Sequence, residues 1–129
     1  MTLNREIIST THAPAAVGPY SQAVRVGSFI YTAGQIPLVP ETGKLVEGDI
    51  KAQTKQVMQN LSNVLEAAES GLENVVKTTI FVTNMADFAV VNEVYGSFFK
   101  DAPPARSTVQ VAALPLGASV EIEAVAVVA

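Results

Sequence analysis

The chain has 129 residues, 8 Lys plus Arg against 12 Asp plus Glu, one His and no Cys, and a net charge of −4. This length suits one domain, spanning 1–129, with a core large enough to fold without crosslinks, and the missing thiols exclude disulfide and thiol chemistry. No stretch approaches the roughly 20 apolar residues of a membrane span, and the N-terminal segment lacks a basic start followed by an apolar run, so a soluble, cytoplasmic protein is expected.

The acidic balance and scattered cations argue against general nucleic-acid binding. Charged residues make up 16% and apolar ones 49%, against about a quarter charged in an average soluble domain. An isolated small domain of this composition would expose large apolar patches, so a homo-oligomer is expected.

Arg5–Thr10 reads as a short strand, and His12–Tyr20, stiffened by Pro14 and Pro19, as an ordered loop. Gln22–Val26 and Phe29–Gly34 flank Gly27-Ser28 in the pattern of a tight hairpin. Ile36–Val46, with Pro37, Pro40 and Gly43, reads as a loop or irregular edge hairpin. The clearest helix is Asp49–Ser70: Ile50, Thr54, Val57, Met58, Leu61, Val64, Leu65 and Ala68 fall on one stripe, Asp49 caps it, and Gly71 is expected to supply the left-handed terminating conformation. Leu72–Asn74 is a connection. Val75–Thr83 is rich in β-branched residues, as a strand covered on both faces would be.

A second helix is expected over Ala86–Phe99, with Asn84 as its cap and Phe88, Val91, Tyr95, Phe98 and Phe99 as its apolar stripe. Asn92 lies nearly on that stripe, where a polar side chain needs a partner. Pro103-Pro104 ends it. Arg106–Ala112 and Ser119–Val128 read as strands joined by a turn at Leu114–Gly117. The order β-β-β-α-β-α-β-β predicts an α+β layer fold, a sheet with two helices on one face. Both rows of the last strand are mainly apolar, which predicts one face against the helices and the other against further subunits. If the last two strands pair as a hairpin, Glu121 falls opposite about Gln110, some four residues or roughly 13 Å along from Arg106, and a pocket holding both is easier to build between chains.

A metal site is not expected from a single His and no Cys. His12 reads as an ordinary loop or interface residue, phosphate-loop patterns are missing, and Ser21, Ser107 and Thr108 would have to share His12 as their base. Three polar features stand out. Arg106 follows Pro103-Pro104-Ala105 at the entrance to an apolar strand; a stiffly held guanidinium suits a carboxylate ligand, and a structural ion pair is the alternative. Glu121 lies within an apolar strand, where an acid needs a partner; it is either a functional carboxyl with raised pKa or an edge or interface salt-bridge residue. Tyr20, after Gly18-Pro19, is a phenol on a constrained loop, or an aromatic at a loop–core boundary.

Ala13-Pro14-Ala15-Ala16-Val17-Gly18-Pro19-Tyr20-Ser21-Gln22-Ala23, Thr32-Ala33-Gly34-Gln35-Ile36-Pro37, Val76-Lys77-Thr78-Thr79-Ile80-Phe81-Val82, Pro104-Ala105-Arg106-Ser107 and Glu121-Ile122-Glu123-Ala124-Val125-Ala126 together resemble the RidA (YjgF-type) family, in the right order and over nearly the whole chain. The resemblance implies a chorismate-mutase-like α+β fold and a homotrimer around a central sheet barrel with clefts between subunits. It also implies hydrolysis of reactive 2-enamino and 2-imino acids, such as 2-aminoacrylate, 2-iminobutanoate and 2-iminopropanoate, to 2-oxo acids and ammonia without a cofactor. By the same resemblance Arg106 would hold the substrate carboxylate and Glu121 would position or activate water or pass a proton to nitrogen. Tyr20 and Asn92 would line the cleft, Phe88 would form its apolar wall, and the Gly34 carbonyl and Thr108 backbone would help hold ligand and water. Many relatives have Ser or Thr where this chain has Ala33, and some have Cys at Thr108, so neither side chain is expected to be essential. Ribonuclease activity with inhibition of translation, described for some members, and non-enzymatic small-acid binding are the alternatives.

Overall fold

The computed structural model describes residues 4–128. Gly27, at φ +60°, makes the tight turn between β2 (Ala23–Val26) and β3 (Phe29–Thr32), which pair antiparallel with Ala23 opposite Thr32. β1 (Arg5–Ile8) adds to β2 and stops short of Thr10, whose N–H is taken instead by the Gln22 side chain at 2.7 Å. The proline-containing segment forms a separate ribbon of β4 (Leu38–Val39) and β5 (Lys44–Leu45).

Helix α1 (Ile50–Ala67) starts as its sequence predicts, with the Asp49 carboxylate accepting from the Ala52 N–H at 3.1 Å. Thr54, Val57, Met58, Leu61, Val64, Leu65 and Ala68 are all buried. Truncating a fully enclosed member such as Leu61 to Ala would cost about 2–5 kcal/mol. The helix ends differently from expectation. Glu69, not Gly71, takes the left-handed conformation at φ 62°, while Gly71 is extended at φ −176°. The reason is a doubly bonded terminus: the Glu69 N–H donates to Glu66 O at 3.0 Å and the Ser70 N–H to Leu65 O at 2.9 Å, satisfying the last carbonyls two residues before the glycine is reached.

β6 (Val75–Val82), α2 (Phe88–Ser97), β7 (Ala105–Gln110) and β8 (Val120–Val127) complete the chain. The Asn84 side chain caps the single turn Met85–Asp87 that leads into α2, accepting from Ala86 N–H at 2.9 Å. The mixed sheet has the order β1-β2-β3-β8-β6-β7, antiparallel except for the β6–β7 pair that α2 connects. The expected β7–β8 hairpin does not form. A helical crossover sets β7 parallel to β6 at the sheet edge, and β8 inserts on the other side of β6 through a ladder running from Val75–Ala126 to Val82–Val120. Glu121 therefore lies opposite Phe81 rather than Gln110, whose partner is Val82.

Both helices lie on one sheet face, as expected. Val120, Ile122, Ala124 and Ala126 of β8 point into that layer with Ile30, Ile80 and Val82, and all are buried. The opposite face carries Ile7, Phe29, Tyr31 and Val109, each between 44% and 49% exposed. Among the described residues no helix is long and apolar enough to cross a membrane.

Candidate active site

Arg106 is on the edge strand, level with Thr78 of β6, and so faces the helix layer. Asn92, Phe88 and Tyr95 of α2 meet it there. The guanidinium donates to Asn92 Oδ1 at 2.7 Å and lies 5.3 Å from the Phe88 ring centre and 5.2 Å from that of Tyr95. Two aromatic faces and a neutral amide fix the plane of the cation without cancelling its charge. Among the described residues its hydrogen-bond partner is this amide rather than a carboxylate, which leaves the remaining N–H groups for an anion. The unpartnered polar position foreseen at Asn92 is resolved by Arg106 itself. Two residues along β7, on the same face, Thr108 Oγ1 is buried without a hydrogen-bond partner among the described residues.

The second group of residues lies elsewhere. Gln35 extends β3 alongside β8 through a bridge to Ile122, with Gln35 N–H to Ile122 O at 2.8 Å and Ile122 N–H to Gln35 O at 3.1 Å. This brings the backbone of Gly34 against Glu121. A β-carbon at position 34 would stand 2.7 Å from the Glu121 carboxyl carbon, so the site needs glycine for close approach. Glu121 is half-buried, and desolvation, followed by the nearby Glu123 charge, pushes its pKa above the ordinary glutamate value. Glu121, Gly34, Ala33 and Tyr20 line one cavity of about 500 Å³, walled by Val17, Ile36 and Leu116 among others. Tyr20 is 52% exposed there, and its hydroxyl accepts weakly from Val17 N–H at 3.4 Å.

The residues named from the sequence thus fall into two clusters within one protomer: Phe88, Asn92, Arg106 and Thr108 at the β7 edge, and Tyr20, Ala33, Gly34 and Glu121 at the β3–β8 end. Thr78 and Phe81 are the β6 partners of Arg106 and Glu121. They are an odd number of residues apart, so the cation and the acid project from opposite sheet faces, about 10 Å apart along the strands. His12 is exposed; its backbone carbonyl accepts from Asn63 Nδ2 at 2.8 Å. Among the described residues no group of metal-ligating side chains gathers.

Sequence reasoning missed the residues that hold the walls. Gln22, buried just before β2, accepts from Thr10 N–H and donates to the carbonyls of Thr10, Ala13 and Pro14, so one amide shapes the loop that carries Tyr20. Asn60, fully enclosed in α1, donates to Ile36 O at 3.2 Å and Leu38 O at 2.9 Å and accepts from Gln56 at 2.9 Å. A signal for Asn60 was present: it lies between Gln59 and Leu61, one turn from Val57 and Val64.

Residues 10–128 match the family model described as Endoribonuclease L-PSP. The mouse 2-iminobutanoate/2-iminopropanoate deaminase is 53% identical over 123 residues, covering 95% of this chain and 91% of its own. The crystal structure of RidA from an Antarctic Psychrobacter species superposes with a TM-score of 0.92 at 49% identity, covering 95% of this chain and 99% of that one. The structure of Escherichia coli TdcF with bound serine superposes with a TM-score of 0.92 at 42% identity, covering 96% and 99%. A mixed sheet with two helices on one face, an arginine free of carboxylates on its edge and a half-buried glutamate packed on glycine accompany this likeness along almost the full length, and the chain belongs to the RidA (YjgF-type) family.

Proposed function

We propose that this protein hydrolyses 2-imino acids, and the enamines that tautomerise to them, to 2-oxo acids and ammonia, at sites completed between the subunits of a homotrimer. The observation that carries this reading is Arg106, a guanidinium oriented by two rings and an amide and left free to bind an anion at the open edge of the sheet. The deaminase name of the mouse relative and the serine bound by the TdcF neighbour support a small carboxylate-bearing ligand.

In the reaction, Arg106 grips the substrate carboxylate through paired charge-assisted hydrogen bonds and so orients the C2=N carbon. Water adds to C2 and the nitrogen takes up a proton, giving a carbinolamine. The hydroxyl proton then passes to the amino nitrogen, directly or through Glu121, and the C–N bond breaks with loss of ammonia as the carbonyl closes. Glu121 orients the water and accepts its proton or hands one to nitrogen, a contribution of about 10²–10⁴-fold. Phe88 and Tyr20 wall the site, the Gly34 carbonyl and the Thr108 backbone hold ligand and water, and the orphaned Thr108 hydroxyl is free to join them. Imines already hydrolyse in water, so a toolkit of this size suffices.

One substrate reaches both clusters only if a second copy lays its β7 edge beside the Glu121 cavity. The exposed apolar sheet face supports such an assembly. The test is a threonine dehydratase reaction in which semicarbazide competes for the released 2-iminobutanoate. The wild-type protein diverts the imine from the trap, and Arg106→Lys, which keeps the charge but not the planar fork, loses on the order of 10²-fold of that activity. Equal turnover by Arg106→Lys overturns the role of Arg106, and binding of 2-oxobutanoate without turnover favours a small-acid binder. The family description favours ribonuclease as a second reading, against which the net charge of −4 argues. Metal-free RNA cleavage lost in Arg106→Ala would support it.

A further inference from the structure

Phe88, Asn92 and Tyr95 recur at steps of four and three along one stripe of α2, and Phe99 follows four residues on, just past the helix end. The first two reach Arg106 directly. Tyr95 does more than pack. Its ring lies between Phe99, with ring centres 4.9 Å apart and planes tilted by 48°, and the Arg106 guanidinium at 5.2 Å. Its hydroxyl is sealed in a buried pair with Thr78 Oγ1 at 2.6 Å. Thr78 is also the strand partner of Arg106. A closed circuit results: the β6–β7 ladder sets the Arg106 backbone against Thr78, Thr78 sets the phenol, and the phenol's face sets the guanidinium.

We propose that Tyr95, locked by Thr78, is a positioning residue for the reaction, acting through Arg106 to fix the plane in which the substrate carboxylate is received. The inference rests on the reading of Arg106 as the carboxylate-binding group. Burial is the largest influence on the phenol's pKa and raises it above the ordinary tyrosine value, although the Thr78 hydrogen bond and Arg106 pull the other way, so the ring stays a neutral π-face beneath the cation. A ring without its hydroxyl anchor keeps its volume but is free to tilt. The guanidinium then samples planes that meet the carboxylate with one N–H instead of two.

The test compares Tyr95→Phe, Thr78→Val and Thr78→Ser. It measures KM and kcat in the imine assay, the affinity for 2-oxobutanoate by calorimetry, and thermal melting. Tyr95→Phe and Thr78→Val are each expected to raise KM and weaken 2-oxobutanoate about tenfold with a smaller change in kcat, while Thr78→Ser recovers wild-type values. In an Arg106→Lys background, Tyr95→Phe is expected to add less than about twofold, because the geometry it protects is already gone. Lowered melting with unchanged KM and affinity in the folded variants overturns the proposal, as does an equal loss in the Arg106→Lys background. If Thr78→Val does not fold, Tyr95→Phe, which keeps the ring, decides alone. If Arg106→Ala binds 2-oxobutanoate as tightly as wild type, the reading of Arg106 fails, and this outcome is separate from a silent Tyr95→Phe.

Discussion

A methyl group at position 34 has nowhere to go without moving Glu121, whose carboxyl carbon would be 2.7 Å away. The carboxylate sits at the end of a flexible chain, so it turns aside rather than unfolding the sheet. Gly34→Ala is therefore expected to lower kcat about tenfold with little change in melting temperature, a split that steady-state kinetics and calorimetry on one sample would reveal. The same carboxyl is expected to govern the pH response. Its pKa is raised, chiefly by burial and further by Glu123. A proton-donor role predicts activity that rises in acid. If Glu121 acts as the base of the proposed reaction its working form is the anion, and activity is expected to fall as pH drops through a midpoint above the ordinary glutamate value. Stability runs the other way. The protonated form is favoured on folding, so this contribution is fully present at low pH and is lost as pH rises through the raised pKa. Glu121→Gln should lack the acid limb of the pH–rate profile and melt higher than wild type at neutral pH, with the gap closing in acid. A Glu121→Gln profile that keeps the acid limb would assign it to another group. Arg106 and Glu121 were marked out as candidates by their surroundings in the chain, a cation behind two prolines and an acid inside an apolar strand. Tyr95 was not, since its spacing is equally that of an ordinary core aromatic.

Elements were readable where one local signal decided them. The α1 stripe, its Asp49 cap, the Gly27 turn and the Asn84 cap each rest on residues within a turn of one another. The β7–β8 relationship does not. Whether consecutive strands pair depends on a third strand, and here β8 finds a longer ladder with β6 than β7 could offer. The polar face of α1 shows how element and site connect. Asn60 and Asn63 donate to Ile36, Leu38 and His12 carbonyls, and Gln53 accepts from Ser119 N–H at 3.0 Å, so one helix fastens three loops around the cavity. Replacing Asn60 by Leu would take the side-chain donor from the Leu38 carbonyl, leave the Ile36 carbonyl with only the Leu38 N–H, and leave the Gln56 amide without its acceptor. A loss of about 2–4 kcal/mol of stability is expected in urea unfolding. Asn60→Asp, which retains the acceptor and loses the donor, should destabilise as well, and the Ile36–Leu38 segment should lose amide protection in hydrogen exchange. Unchanged exchange there would dissociate Asn60 from the cavity wall.

At the scale of the molecule, a composition poor in charge fits the proposal that the function is shared between subunits. Ile7, Phe29, Tyr31 and Val109 leave an apolar sheet face, and β7 leaves a free edge, on the same protomer whose cation and acid project to opposite sides. Sites shared between subunits have a consequence that no rearrangement inside one chain can imitate. Arg106→Ala and Glu121→Ala should each be inactive alone. When the two variants are unfolded together, refolded and allowed to assemble at random, about one quarter of the interfaces would join an intact Arg106 from one chain to an intact Glu121 from another. Activity should return to roughly that fraction of wild type, while the same variants refolded separately and mixed without exchange stay silent. If both groups instead served one substrate from within a single chain, every site in the mixture would lack one of them, and no activity would return.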